Sequence, residues 1–224
     1  NAVRQRPWKL VERAIAPTPV LDPERLERIH QAGLHILRRV GLRVLDAQAR
    51  DHYRRAGASV DDLQVRLDPD LTSSLLSTVP GEFTLAARNP QRSLRLGGNH
   101  TVFASVGGPA FVMDSERGRR AGTSAELADY LRVVHSLDII HQEGGGPFEA
   151  LDLPPATRHL DLYLAELTLT DKNWQCQTLG RQRVLDALDM TAIALGLTRD
   201  DLPRHTVQSG VINTNTPLQL DVPM

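Results

Sequence analysis

The sequence feature that most constrains the fold is a series of four similar breaks within residues 102–215. At each break a short apolar or β-branched segment gives way to glycine-rich or amide-rich sequence. Ser105, His141, Cys176 and Gly210 mark the breaks, and the intervals between them are 36, 35 and 34 residues. Each interval is the length of one strand, a loop, a helix and a return loop. The spacing therefore predicts four successive βα units.

The segments between the breaks have helical periodicity. Thr123-Ser124-Ala125-Glu126 has the pattern of a capping box, which predicts a helix start, and Gly196 is placed to end the last helix. The residues predicted to face the core are Leu127, Tyr130, Leu131, Val134 and Leu137 in the first helix, Leu160, Leu164, Leu167 and Thr168 in the second, and Val184, Leu188, Ala192 and Leu195 in the third. Strands that alternate with helices predict a parallel sheet with right-handed crossovers.

Residues 1–98 are predicted to form a separate amino-terminal region of helices and β-hairpins, followed by the βα repeat in residues 99–224. Asp22-Pro23 predicts the start of a helix, and further helix starts are predicted at Asp46 and Asp68. The first helix is expected to bury Leu26, Ile29, Gly33, Ile36, Leu37 and Val40. Residues 83–88, 94–96 and 102–104 are separated by turn sequences and predict two hairpins.

Composition excludes several classes of protein. The formal net charge of −1 argues against nucleic acid as a partner, because a nucleic-acid-binding face normally carries a basic excess. The single cysteine excludes an intramolecular disulfide framework and favours a reducing, cytoplasmic compartment. No apolar run approaches the ~20 residues that cross a bilayer, so no membrane association is expected.

Polar side chains are concentrated at the predicted carboxyl ends of the strands, the edge at which parallel barrels carry their chemistry. The amide groups there could hold substrate oxygens, and a carboxylate could face a cationic nitrogen. The residues predicted to bind substrate are His141, Glu143, Gln175, Gln177, Gln208 and Asn213, and Gln142 and Asn215 lie at the same ends. The alternative for each is a structural role in fixing a loop.

Other candidate groups at these ends have simpler interpretations. His141 and Glu143 lack an evident third ligand, so no metal site is predicted. Cys176 is expected to be a buried, inert thiol. Trp174 or Phe148 could offer a π face to a cation, although both also suit a core or a lid.

Several longer stretches carry a family resemblance. They are residues 106–114, Gly118-Arg119-Arg120, residues 154–160 and residues 213–221, together with the pattern of residues 34–45. With these stretches the chain resembles the trimethylamine methyltransferase family, whose better-studied members demethylate methylamines or quaternary amines such as betaines.

The resemblance implies a (β/α)₈ barrel of the TIM type, of which this chain holds about the first half after its amino-terminal region. It also implies transfer of a methyl group from a methylated amine to the Co(I) corrinoid of a partner protein, with no cofactor bound directly by the chain. A half-barrel leaves apolar surface uncovered, so a homo-oligomer is expected. The open alternatives are a non-catalytic amine-binding or betaine-binding module on the same barrel and a self-contained four-stranded α/β domain.

Overall fold

The structure, a computed structural model, describes residues 4–108 and 110–223, which form a mixed α/β arrangement of six α-helices and small sheets. The helices are α1 (Pro23–Arg39), α2 (Ala47–Arg55), α3 (Pro69–Leu76), α4 (Ser124–Ser136), α5 (Arg158–Leu169) and α6 (Arg181–Leu195). The strands are β1 (Val11–Glu12), β2 (Leu42–Val44), β3 (Ser59–Asp61), β4 (Gln64–Arg66), β5 (Glu82–Leu85), β6 (Leu94–Gly97), β7 (His100–Thr101), β8 (Val112–Asp114), β9 (Gly118–Arg120), β10 (Gln142–Glu143), β11 (Asn173–Trp174) and β12 (Gln219–Leu220).

The chain divides into two compact units. Unit 1 comprises Asn1–Ala14 and Glu82–Val211, and unit 2 comprises Ile15–Gly81 and Ile212–Met224. The division into domains at residues 1–98 and 99–224 stays a prediction.

Unit 1 contains four segments that pair in parallel and in chain order. Ala104 pairs with Gln142, β10 pairs with β11, and Gln175 pairs with Ser209. The parallel pairing predicted at the four breaks is therefore confirmed. The paired segments are short, and residues 4–108 and 110–223 contain no closed barrel.

Only the first of the two predicted hairpins forms. β5 pairs antiparallel with β6, as expected. The second hairpin, from residues 94–96 to 102–104, was predicted wrongly because its last strand has other partners. β7 pairs with β1, and Ala104 begins the parallel series.

Helix α4 matches its prediction closely. The capping box is present, because Thr123 accepts from the Glu126 backbone N–H and the Glu126 side chain accepts from the Thr123 backbone N–H. Leu127, Leu131 and Val134 are buried. Leu127 and Leu131 pack in a core that α5, α6 and β11 complete with Leu162, Tyr163, Ala187 and Trp174.

The buried face of α5 differs from the predicted one. His159, Leu162, Tyr163 and Glu166 are buried, whereas Leu160 and Leu164 are exposed. The core face of this helix includes two polar residues, so apolar periodicity alone selects the wrong side. In α6, the buried residues are Ala187, Thr191 and Ala192, of which only Ala192 belongs to the predicted stripe.

Unit 2 consists of α1–α3 and a four-stranded sheet in the order β12-β2-β4-β3. Its core contains Leu42, Val44, Ala58 and Val65. The helix starts predicted at Asp22, Asp46 and Asp68 are confirmed, since each carboxylate accepts a backbone N–H of the first turn.

The predicted buried stripe of α1 is wrong. Leu34 is the buried residue of this helix and Leu37 packs partly against the core, while Leu26, Ile29, Ile36 and Val40 are 44–60% exposed. Helix α1 contacts α3 and β4. Much of its apolar side is therefore uncovered by the residues that the structure describes.

Candidate functional site

The carboxyl ends of the four parallel segments form one continuous edge, in which each backbone lies against the next. The hydrogen bonds that join them run from Gly144 N–H to Ser105 Oγ (3.1 Å), from Gly108 N–H to Gly146 O (2.8 Å), from Gln175 N–H to Glu143 O (3.1 Å) and from Cys176 N–H to Ser209 O (2.9 Å). We call this set of strand ends the carboxyl edge. The sequence spacing thus brings the four breaks together.

Glycine is required where the backbones approach most closely. A Cβ on Gly144 would overlap the Ser105 carbonyl oxygen, and a Cβ on Gly107 would overlap the Gly144 carbonyl oxygen. Gly145 and Gly146 have positive φ values of 92° and 97°. The glycine run therefore serves both a close approach and a left-handed turn.

Glu143 is fully buried, and its carboxylate holds this turn. One oxygen accepts from Gly145 N–H at 2.6 Å and from Gly146 N–H at 3.1 Å, and the other lies 3.5 Å from Ser105 Oγ. Glu143 is in register with Trp174, whose ring packs on Tyr163 of α5. Residues in register share one face of a sheet, so Glu143 points towards the helices.

The side chain of Glu166 in α5 lies within hydrogen-bonding range of the Glu143 carboxylate. It is 1% exposed, and among residues 4–108 and 110–223 no donor group bonds to either of its carboxyl oxygens. Burial raises the pKa of Glu166 well above its ordinary value, and the negative charge of Glu143 raises it further. We call Glu143 and Glu166 the carboxyl pair. Periodicity missed Glu166, because a glutamate on a helix is normally assigned to solvent.

His141 is also fully buried, and both of its ring nitrogens bond to the backbone. Nδ1 accepts from Phe103 N–H at 3.0 Å, which leaves Nε2 to donate to the Lys9 carbonyl oxygen at 3.0 Å. The Trp8 ring packs edge-on against the imidazole. Burial lowers the pKa of His141, so the ring is neutral at pH 7.

The amides of the predicted site lie in different surroundings. Gln175 is half-buried beside Gly145. Gln177 is half-buried, and its side-chain oxygen accepts from Arg183 of α6 at 2.9 Å. Gln208 donates to Thr191 of α6 at 3.2 Å. Asn213 belongs to unit 2, where it is exposed.

A second polar network lies on the other face of the same strands. Gln142 donates to Asn173 Oδ1 at 2.7 Å and to Ser209 Oγ at 3.0 Å. Asn173 in turn donates to the carbonyl oxygens of Ala86 and Val207. Gln142 was recognised as a strand-end residue but left out of the predicted site. Asn173 and Ser209 were missed because other residues of their segments, 172–176 and 205–209, are polar as well.

Residues 4–108 and 110–223 provide neither a metal site nor a membrane-spanning helix. That part of the chain contains no group of three or more His, Cys, Asp or Glu side chains able to hold a metal ion. None of its helices combines the length and the apolar character that spanning a bilayer requires. What the carboxyl edge offers is amide, hydroxyl and backbone groups, which suit the binding and orientation of a polar ligand.

The fold and the carboxyl edge together describe a mixed α/β protein in which polar groups meet at the carboxyl ends of parallel strands. The chain belongs to the trimethylamine methyltransferase (MTTB) family, which it matches over residues 1–224. The family resemblance inferred from the sequence is thereby confirmed.

The names of three similar proteins are consistent with this family. The chain is 29% identical over 202 residues to the glycine betaine methyltransferase of Desulfitobacterium hafniense strain Y51, which covers 90% of the chain and 42% of the relative. It is 23% identical over 155 residues to the proline betaine:corrinoid methyltransferase of Eubacterium limosum, covering 69% and 31%. It is 27% identical over 118 residues to trimethylamine methyltransferase MttB of D. hafniense strain DSM 10664 / DCB-2, covering 51% and 24%. The chain thus spans less than half the length of each relative.

Proposed function

We propose that this chain is part of a methyltransferase that moves a methyl group from a methylated amine to the Co(I) corrinoid of a partner protein. The donor is trimethylamine or a quaternary amine such as a betaine. The observation that carries this proposal is the family match along residues 1–224. The names of the relatives support it, since two act on betaines and one on trimethylamine.

The chemistry of a quaternary amine suits the groups at the carboxyl edge. The methyl carbon is already activated by the positive nitrogen, and the amine leaves neutral, so no general acid or base is needed. The site has to hold the cation, aim one methyl group and exclude water. Amides and backbone groups can do this without a nucleophile of their own.

The proposal assigns the predicted residues of unit 1 two different tasks. His141 and Glu143 are buried and bonded to the backbone, so we assign them to holding the edge rather than to touching the substrate. Gln175 and Gln177 are half-buried at the edge, and together with Gln208 they are the proposed substrate contacts of unit 1. The substrate role of Asn213, which belongs to unit 2, stays a prediction from the sequence.

The proposed scaffold is the first half of a (β/α)₈ barrel. The parallel series at Ala104, β10, β11 and Ser209, with helices α4, α5 and α6 between its members, has the order that such a half-barrel requires. In the complete enzyme the corrinoid is carried by the partner protein, where its cobalt supplies the methyl acceptor. The side-chain amides of this chain are proposed to contact the substrate, and we assign none of them as a ligand of cobalt.

The test uses the full-length parent protein. Calorimetric titration with trimethylamine, glycine betaine, proline betaine and carnitine identifies the bound amine, and methyl transfer is then measured with reduced corrinoid protein. Binding followed by transfer supports the proposal. Binding without transfer indicates the non-catalytic binding module instead, and the absence of any binding overturns both.

A matched pair of variants tests the site. Gln177→Ala should weaken amine binding by about tenfold, the loss expected when one hydrogen bond is removed in a partly buried site. The control is Gln182→Ala, because Gln182 is exposed on α6 and bonds to Asp186. Equal binding by the two variants would remove Gln177 from the site.

A further inference from the structure

The carboxyl pair has no part in the proposed transfer, yet it lies directly behind the carboxyl edge. Both side chains are buried, Glu143 at 0% and Glu166 at 1% exposure. Only Glu143 has hydrogen-bond donors, which are the N–H groups of Gly145 and Gly146 and, at 3.5 Å, the Ser105 hydroxyl. Two neighbouring carboxyl groups are therefore buried, and donors bond to only one of them. The question is how many negative charges the pair carries.

The groups that face the pair provide no compensating cation. Helix α4 contributes Tyr130, whose hydroxyl is directed at the Val106 carbonyl oxygen. Arg88 and Lys172 line the cavity of about 20 Å³ beside Glu166, but Arg88 donates to the Thr170 carbonyl oxygen and Lys172 to those of Val134 and Leu137. Helix α6 contributes the neutral Thr191. Within the described part of the chain, neither member of the pair forms a salt bridge.

Two uncompensated negative charges cannot both persist in such a site, so the pair holds one proton. Glu143 accepts two backbone N–H groups, an arrangement that stabilises the ionised form. Glu166 has no donor, and a buried carboxylate without donors is unstable. The proton therefore belongs on Glu166, where the acid can donate to the Glu143 carboxylate.

We propose that Glu166 is a positioning residue, which donates its proton to the Glu143 carboxylate and so holds the Gly144–Gly146 turn at the carboxyl edge. The contacts run from α5 through Glu166 and Glu143 to the amides of Gly145 and Gly146. The Gly144–Gly146 turn lies against Ser105, Gly108 and Gln175. The statement that this turn borders a substrate site rests on the proposed function. The position of the proton and its effect on the turn do not depend on that function.

The proposal is tested on this chain by NMR, with no substrate or methyl transfer involved. The carboxyl carbon of Glu166, assigned by comparison with Glu166→Gln, is followed with pH, together with hydrogen exchange of the Gly145 and Gly146 amides. We expect Glu166 to be protonated at pH 7. A carboxyl that titrates near 4.3, the ordinary value for glutamate, would overturn the proposal.

Variants separate positioning from simple packing. In Glu166→Gln the side-chain amide can still donate to Glu143, so the backbone N–H groups of Gly145 and Gly146 should remain protected from exchange. Because glutamine does not titrate, this protection should no longer depend on the protonation of residue 166. In Glu166→Leu, which fills the space but cannot donate, exchange should become about tenfold faster. Glu116→Gln, at an exposed position, is the control and should match the unmodified chain.

Two outcomes would contradict the positioning role. One is equal protection of Gly145 and Gly146 in Glu166→Leu and the unmodified chain. The other is that hydrogen exchange of these two amides has the same pH dependence in Glu166→Gln as in Glu116→Gln. This second comparison can be made even if Glu166→Leu does not fold. Because neither readout depends on an amine, failure of this proposal and failure of the proposed function can be told apart.

Discussion

At the scale of single residues, Lys172 shows how a buried charge is used in the framework of unit 1. Its side chain is 2% exposed, and its ammonium group donates to the carbonyl oxygens of Val134 at 2.6 Å and Leu137 at 2.7 Å. These carbonyls lie at the carboxyl end of α4, where a positive charge is favoured. Each also accepts a backbone N–H, Val134 O from Leu137 and Leu137 O from Ile140. Lys172 therefore ties the start of β11 to the carboxyl end of α4.

Replacing Lys172 with Met should destabilise the chain by about 2–4 kcal/mol, because two buried carbonyls lose their charged donor. The measurement is urea unfolding at pH 7. Lys9→Met is the control, since the Lys9 side chain is exposed, and it should change stability by less than about 0.5 kcal/mol. Equal stability of the two variants would show that Lys172 does not anchor α4.

The same residue predicts a pH dependence. Burial lowers the pKa of Lys172 from 10.5 to about 8, so between these values the unfolded chain holds more protons at this position than the folded chain. Stability rises with pH wherever the unfolded state binds more protons. The stability of the unmodified chain relative to Lys172→Met should therefore increase from about pH 8 towards pH 10. A constant difference across this range would contradict the lowered pKa.

At the scale of elements, the carboxyl edge depends on close approach between loops more than on long strands. β10 and β11 have two residues each, and the outer pairings are single bridges at Ala104 and Ser209. The glycine run adds backbone contacts to these pairings, at Ser105, Gly108 and Gln175. The edge should therefore be more sensitive to an added methyl group than an ordinary loop.

Gly144→Ala should destabilise unit 1 by about 2–4 kcal/mol, because its Cβ would meet the Ser105 carbonyl oxygen, which belongs to the backbone and cannot move aside freely. Gly33→Ala in α1 is the matched control. A Cβ there meets nothing within 4 Å, and alanine within a helix should stabilise the chain by about 0.5–1 kcal/mol. Changes of the same sign in thermal unfolding would contradict the close approach.

At the scale of the whole molecule, the clearest unassigned feature is apolar surface on α1. Leu26, Ile29, Ile36 and Val40 are exposed on one helix, and exposed apolar groups of this kind commonly mark a contact with another protein surface. This apolar side of α1 gives the expected homo-oligomer a physical basis.

We expect the chain to associate with a second copy through this face. Sedimentation velocity over a range of concentrations should show a reversible increase in mass. Ile29→Glu should weaken the association by tenfold or more, roughly the effect of placing an unpaired charge in an apolar contact. Arg28→Glu, on the neighbouring exposed position of the same helix, should have a smaller effect. A monomer at every concentration would contradict the prediction.

Features that depend on residues close together in the chain are predictable from the sequence alone. The starts of α1, α2, α3 and α4 were predictable because a cap is formed by side chains within one helical turn. The equal spacing of the four breaks predicted parallel pairing, because a crossover of that length returns the chain in the same direction. The motif-level resemblance likewise identified the family.

Only the tertiary structure determined which side chains face one another. The apolar stripe of α1 lies largely in solvent, while α5 turns His159 and Glu166 inward, because burial depends on which elements are adjacent and not on periodicity. His141 and Glu143 were placed correctly at strand ends, but their bonds to Lys9, Phe103 and the glycine amides were not readable from the sequence. The proton assigned to the carboxyl pair arises for the same reason: Glu143 and Glu166 are 23 positions apart in the sequence and become neighbours only in the folded chain.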